Sequence, residues 1–214
     1  AIENATNEKD AAQAKADIAN RLVTGLSSER VRWAAHTKSF GLEQRALIGD
    51  VLLATAFVSY AGMFTAEYRE ELVNDKWVPD MIKRQIPMTE SIRPIDVLAT
   101  ESQVARWGNE GLPLDIFCVQ NGAIIHHSKR WPLLIDPQLQ GIAWIKERES
   151  KRNLQVTRLS AKDMINVMER SIQDGCSVLI ENMGEQIEPV LSNVVGRRLF
   201  KKGRTMYVQL GDKE

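Results

Sequence analysis

The chain is poor in the residues that usually announce a chemistry. Only two cysteines, Cys118 and Cys176, occur among 214 residues. They are too few and too unpatterned for a disulfide framework or a cysteine zinc site, which fits a reducing, cytosolic compartment. The three histidines, His36, His126 and His127, have no cysteine or carboxylate at ligand spacing, so structural histidines and no metal site are expected. Charge of either sign is not in excess: 28 Lys plus Arg balance 28 Asp plus Glu. Such a chain has no net field to recruit nucleic acid or an anionic membrane surface. Long apolar runs are missing too. The best, Val51 to Ala61, is interrupted by Thr55 and Ser59 and falls well short of the roughly 18 residues that a bilayer span needs. It reads as a buried helix that Gly62 could end in a left-handed cap. The first residue is Ala1 rather than Met, and no basic and apolar leader follows it.

What is present is ample for a core, since 43% of residues are apolar. From Ala1 to about Phe40 the chain is rich in Ala, Glu, Lys, Asp and Asn, without proline. Ile18, Leu22, Val23 and Leu26 fall at helical spacing, which predicts a long helix with one narrow apolar stripe. Over the first seventeen residues that stripe holds little more than Ile2 and alanines, as in either a solvated surface helix or the end of a coiled coil. Two further helices are expected between Leu42 and Gln85, the second opened by Thr65 with Glu67, Glu70 and Glu71 in its early turns. Pro87, Pro94 and Pro113 make 86–130 a run of loops and short helices. Within it, Thr100 and Gln103 match a capping box, and Asp115 begins a helix to about His127. Trp107 and Trp131 are expected to pack this region against a later sheet.

Residues 131–146 have the length of a phosphate-binding strand, loop and helix, but not its residues. A working loop reads Gly-x-x-x-x-Gly-Lys-Ser/Thr, so that backbone amides wrap phosphates, the Lys neutralises charge and the hydroxyl holds Mg²⁺. Here the frame runs Asp136, Pro137, Gln138, Leu139, Gln140, Gly141, Ile142, Ala143. A carboxylate stands where the first glycine belongs, and isoleucine and alanine replace the ammonium and the hydroxyl. Tight ATP binding is therefore disfavoured, although an ordinary core strand, turn and helix would also fit the spacing. Forty residues on, Ser177 to Ile180 precede Glu181 and Asn182, where a nucleotide hydrolase carries Asp-Glu. Asn182 could orient water but could not act as its base.

Between these segments Leu154–Arg158 reads as a strand. Ser160 with Asp163 reads as a capping box opening a helix whose apolar face is Met164, Ile165, Met168 and Ile172. Strand, helix, strand, helix, strand in about fifty residues predicts a parallel α/β unit. A hairpin turning at Lys202-Gly203 closes the chain, and its Lys201, Lys202 and Arg204 form a solvated turn or a docking patch.

Several stretches together resemble a dynein heavy chain. They are Asn20–Leu26, Val31–Trp33, Gly49–Tyr60, Asn109–Pro113, Arg130–Lys146 and Val178–Asn182, in an order that covers nearly the whole sequence. The wording of Ile135–Gly141 and of Asn109–Pro113 is closer to axonemal chains than to the cytoplasmic one. The resemblance implies that 1–45 is the returning helix of the stalk coiled coil, 46–85 a helical base, and 86–214 the first part of the fifth AAA+ module. The implied fold is a long coiled-coil-type helix and helical segment followed by a partial, P-loop-like three-layer α/β domain.

By the same resemblance the parent is a minus-end-directed ATPase motor of cilia and flagella, and this module is a structural relay between ring and stalk. Its degenerate phosphate loop falls on Asp136 to Ala143 and its degenerate acidic strand end on Glu181 and Asn182. No catalytic residue and no cofactor are expected here, ATP and Mg²⁺ being used elsewhere in the motor. The implied partners are neighbouring AAA+ modules, the outgoing stalk helix, a microtubule reached through a tip preceding residue 1, and dynein intermediate and light chains. Two other readings stay open: a nucleotide-binding module that does not hydrolyse, and a coiled-coil adaptor with an α/β platform. In AAA+ sheets a strand following this segment lies between the phosphate-loop strand and the acidic strand. Residues 132–136 and 177–181 would then flank an empty slot, and the chain is expected to be a piece of a longer polypeptide.

Overall fold

The computed structural model describes the backbone of residues 2–211, and the side chains of that span except 2–8, 10, 11, 28, 35, 38, 39 and 42. The expected contribution of Ile2 to the apolar stripe therefore lies outside the described residues. Two compact units are formed, one from residues up to Leu53 with Glu70–Ile92, the other from Ala54–Arg69 with Arg93 onward.

Helix α1 runs unbroken over Ile2–Tyr60. The break expected between Phe40 and Leu42 does not occur. The first proline of the chain is Pro79, and a helix-interior glycine such as Gly25 or Gly41 costs only about 1 kcal/mol, too little to stop a 59-residue helix. Ile18, Leu22 and Leu26 are about 60% exposed, so the stripe is real but uncovered in this chain. Gly62 is not the left-handed cap either, because it is absent from the glycines with positive φ. The carbonyls past the helix end are instead read by Arg69, which donates to the oxygens of Ala61, Gly62 and Phe64.

Arg69 lies on α2 (Ala66–Glu71), which continues through a wide turn at Leu72–Trp77 into α3 (Val78–Lys83). Pro79 explains the widening. It has no N–H to donate, and its ring crowds the carbonyl four residues back, so the Val78 amide reaches five residues to Val73 instead. In the first unit Gly49 of α1 meets the following loop closely. Its N–H donates to Pro87 O at 3.1 Å, and the adjacent Asp50 carboxylate accepts from Thr89 N at 2.8 Å and Thr89 Oγ1 at 2.6 Å.

The second unit holds α4 (Pro94–Leu98), α5 (Glu101–Asn109), α6 (Ile116–His127) and α7 (Gln140–Glu149). The caps expected for α5 and α6 are present: Gln103 N donates to Thr100 Oγ1 while Thr100 N donates to Gln103 Oε1, and Cys118 N donates to Asp115 Oδ1. Trp107, Ala123 and Trp144 are buried at their centre. Trp107 packs edge-on against Trp144 and His126, helix against helix rather than against the sheet. Trp131 is not core. It is 56% exposed, with its indole N–H on Val194 O and the Arg197 guanidinium 4.4 Å over its ring.

Strand β1 (Gln155–Arg158) and strand β2 (Val178–Glu181) pair in parallel, from Gln155 opposite Val178 to Arg158 opposite Glu181. They are joined through α8 (Met164–Asp174), which Gly175 ends in a left-handed cap. Met164 and Met168 of α8 are buried with Leu191 and Leu210, while Ile172 stays 43% exposed. Ser160 does not cap this helix. Backbone bonds from Ala161 N to Arg158 O and from Met164 N to Ala161 O form turns there, and the helix starts three residues after Ala161. The expected strand at 132–136 is also not formed. The segment takes no regular secondary structure and pairs with none of the described strands. After α9 (Ser192–Val195) the hairpin appears as expected, β3 (Leu199–Lys202) against β4 (Thr205–Val208), with Gly203 at φ +67°. An α-helical segment with a small mixed α/β part is thus the architecture, and the described residues contain no helix long and apolar enough to cross a membrane.

Candidate functional site

The loop from Asp136 to Ala143 is built around the carboxylate. Asp136 Oδ2 accepts from Ile142 N at 2.8 Å and Oδ1 from Gln140 N at 3.2 Å. These are first-turn amides of α7, the groups that a phosphate loop turns on its ligand. Their positive end is thus already met by a negative oxygen pair from within the chain. Two further details fit that arrangement. Leu139 takes the left-handed conformation, φ 60° and ψ 20°, so the backbone can double back over the carboxylate. Gly141 leaves room for it, since a Cβ there would lie 3.3 Å from Asp136 Oδ2 and 3.4 Å from Leu134 Cδ2. Pro137 and Gln138 form the exposed crest, and Ala143 is exposed.

Helix α7 is anchored one residue later by Trp144, whose ring is fully buried and whose N–H donates to Glu110 Oε2 at 3.1 Å. Lys146 follows on the same helix. Its ammonium lies 2.6 Å from Glu181 Oε1, and Arg158 at the end of β1 reaches Glu181 Oε2 at 3.4 Å. The hydrogen bond from Lys146, supported by Arg158, holds the Glu181 carboxyl below the usual carboxylate range. Both of its oxygens are engaged by cations of the protein, which leaves little negative charge for Mg²⁺. Asn182 follows in the left-handed region at φ 54° and is exposed. Asp136 and Glu181 are thereby tied to the two ends of one helix, at its first amides and through Lys146. Among the described residues no group of three or more His, Cys, Asp or Glu could hold a metal ion.

Lys146 and Arg158 were not singled out by the sequence. Their partner lies 35 and 23 residues away, and no local pattern marks such a pair.

Residues 105–214 match the family model described as the ATP-binding dynein motor region, and residues 2–81 match the microtubule-binding stalk of the dynein motor. The chain belongs to the dynein motor family. Among curated dyneins it is 53% identical over 213 residues to the alpha chain of the flagellar outer arm of Chlamydomonas reinhardtii, covering 99% of this chain and 5% of that one. The beta chain of the same outer arm is 46% identical over 217 residues, again 5% of its length. Dynein axonemal heavy chain 17 of Mus musculus is 45% identical over 223 residues, the whole of this chain and 5% of that protein. The chain therefore spans about a twentieth of the dynein heavy chains it matches. The stalk match falls on α1 to α3 and the motor-region match begins in α5, so the family's two parts coincide with the helical arm and the α/β segment.

Proposed function

We propose that this chain is the returning stalk helix and the first part of the fifth AAA+ module of an axonemal dynein heavy chain, and that the module is a relay between ring and stalk which neither hydrolyses nor holds nucleotide. The observation carrying this reading is Asp136. Its carboxylate takes the first-turn amides of α7 that a nucleotide phosphate would need, so a phosphate would have to displace it and face it at close range. With Ile142 in place of the ammonium, nothing offsets that repulsion. Glu181, neutralised by Lys146 and Arg158, supports the same reading at the metal end.

ATP would then be hydrolysed in other modules of the heavy chain, in the axoneme of a cilium or flagellum. Microtubules would be met at a stalk tip preceding residue 1. Neighbouring AAA+ modules and the outgoing stalk helix would be the direct partners, with intermediate and light chains in the assembled motor. The test is calorimetry of a heavy-chain segment extended past residue 214, titrated with ATP or ADP and Mg²⁺ to millimolar concentration. No heat is expected from the natural sequence. Asp136→Gly combined with Ile142→Lys should bind nucleotide measurably. Micromolar binding by the natural sequence would overturn the reading and make the module a nucleotide sensor.

A further inference from the structure

Arg69 is the most completely enclosed charge among the described residues, 1% exposed, and the acceptors it reaches are all neutral. Its Nε donates to Ala61 O and Phe64 O, each at 3.0 Å, and one terminal nitrogen donates to Gly62 O at 3.2 Å. These are the carbonyls just past the end of α1, whose last turn carries no basic residue. The same guanidinium donates to two neighbouring side chains of α6, Asn121 Oδ1 at 2.7 Å and Gln120 Oε1 at 3.2 Å. It lies over the ring of Phe117, also on α6, at 4.4 Å and over that of Phe57, on α1, at 5.8 Å. Burial lowers its pKa to about 10, so it stays charged at neutral pH.

A buried cation without a counter-ion is costly, and here the cost is offset by the negative end of the α1 dipole together with two amide oxygens and two ring faces. No other side chain could make this set. A lysine has one nitrogen and cannot read carbonyls on one side and amides on the other while lying flat between two rings. The residue is thus a rivet through α1, α2 and α6.

We propose that Arg69 is the positioning residue through which the base of the stalk helix is held to the module, so that a displacement of α1 is passed to α6 by the guanidinium and its Asn121 and Gln120 partners. This rests on the relay reading above. If the joint at the end of α1 were loose, a shift along the helix would be absorbed in residues 61–65 and never reach α6.

The test uses the full heavy-chain motor and reads three quantities: basal ATPase, stimulation by microtubules, and the ratio of microtubule affinities between nucleotide states. Arg69→Lys and Asn121→Leu each remove hydrogen bonds to a charged group, which is about a tenfold change in an equilibrium constant. Both should leave basal turnover unchanged and shrink the affinity ratio about tenfold. Asn121→Asp, which keeps an acceptor and adds a counter-charge, should preserve the ratio. If Arg69→Lys misfolds, Asn121→Leu decides, since the guanidinium keeps its backbone contacts there. Ala12→Leu with Ala16→Leu, which should lock the register of the stalk helix, separates the two levels of argument. A ratio lost in the leucine variant but intact in Arg69→Lys and Asn121→Leu would overturn the rivet and leave the relay standing. An intact ratio in all three would overturn both, and loss of basal turnover together with the ratio would reduce Arg69 to a fold-stabilising residue.

Discussion

On the reading proposed above, Asp136 does two things at once ahead of α7. It puts negative charge where phosphate would sit, and it supplies the cap that the helix would otherwise take from its ligand. Removing it as Asp136→Ala should therefore destabilise α7 by about 1 kcal/mol, the ordinary worth of an aspartate cap. Amide exchange at Gln140 and Ile142 should rise about fivefold, the factor that such a free energy implies. Unchanged exchange would show that the two bonds to Asp136 are not what holds the helix start. His126 offers a second test at this scale. Burial, and then the charges of Arg148, His127 and Arg152, lower its pKa from the usual value, and its Nδ1 accepts from Arg148 Nη2 at 2.8 Å. A histidine held neutral in the folded state binds fewer protons than in the unfolded chain. Stability present above the unfolded pKa of about 6.5 is thus lost as pH falls below that value toward the lowered folded-state pKa. Exchange along α6 and α7 should accelerate as pH falls below about 6.5, and His126→Gln, which keeps an acceptor for Arg148, should flatten the profile.

At the scale of elements, what could be read from the sequence was what neighbouring residues decide. The cap pairs Thr100 with Gln103 and Asp115 with Cys118, the turn at Gly203, and the apolar face of α8 at Met164 and Met168 are all encoded within four residues. Misreadings arose where a distant partner overrides the local signal. Gly62 has the composition of a cap, but the chain there keeps a non-left-handed backbone and Arg69 of another helix binds the carbonyls of Ala61 and Gly62. Leu133 and Ile135 alternate as a strand should, but a strand needs a neighbour. The replacement of a phosphate loop's residue types at 136, 142 and 143 could be read from the sequence, whereas the inward turn of the Asp136 carboxylate and the Lys146–Glu181 pair could not. One close approach between elements gives a sharp prediction. A Cβ on Gly49 would lie 2.4 Å from Pro87 O and 2.7 Å from Met88 Cβ, so α1 and the loop at 86–89 cannot both keep their places in Gly49→Ala. The intrinsic gain of about 1 kcal/mol from alanine in a helix should be outweighed by overpacking of about 1–3 kcal/mol and by weakening of the Asp50–Thr89 bonds. A lower midpoint of unfolding is expected, against the higher one that helix propensity alone would give. Gly25→Ala, whose added Cβ would meet no atom outside the helix's own backbone within 4 Å, should show the propensity gain by itself.

Taken as a whole molecule, the chain leaves many large apolar side chains exposed, among them Trp33, Leu133 and Ile135. Among the described strands β2 pairs with β1 alone, and the 131–136 segment leaves Leu133 74% and Ile135 90% exposed. A free strand edge beside exposed aliphatic residues is a template for another strand. In a larger motor that template would be filled by chain belonging to the same module. In isolation it should be filled by another copy, through hydrogen bonds that do not depend on sequence and apolar contacts that do. Sedimentation of the 214-residue chain should therefore show association that grows with concentration over about 1–100 μM, the range in which exposed edges of partly covered proteins aggregate. Leu133→Lys with Ile135→Lys should suppress the association without changing helix content, because neither side chain is used by a described helix and like charges oppose edge pairing. A heavy-chain segment long enough to supply the neighbouring strand should suppress it as well, this time with a gain in cooperative melting. If the natural chain is monomeric across that range and melts in one sharp transition, the edge of β2 is not an open position in the sheet, and the placement of this segment within a larger α/β module fails with it.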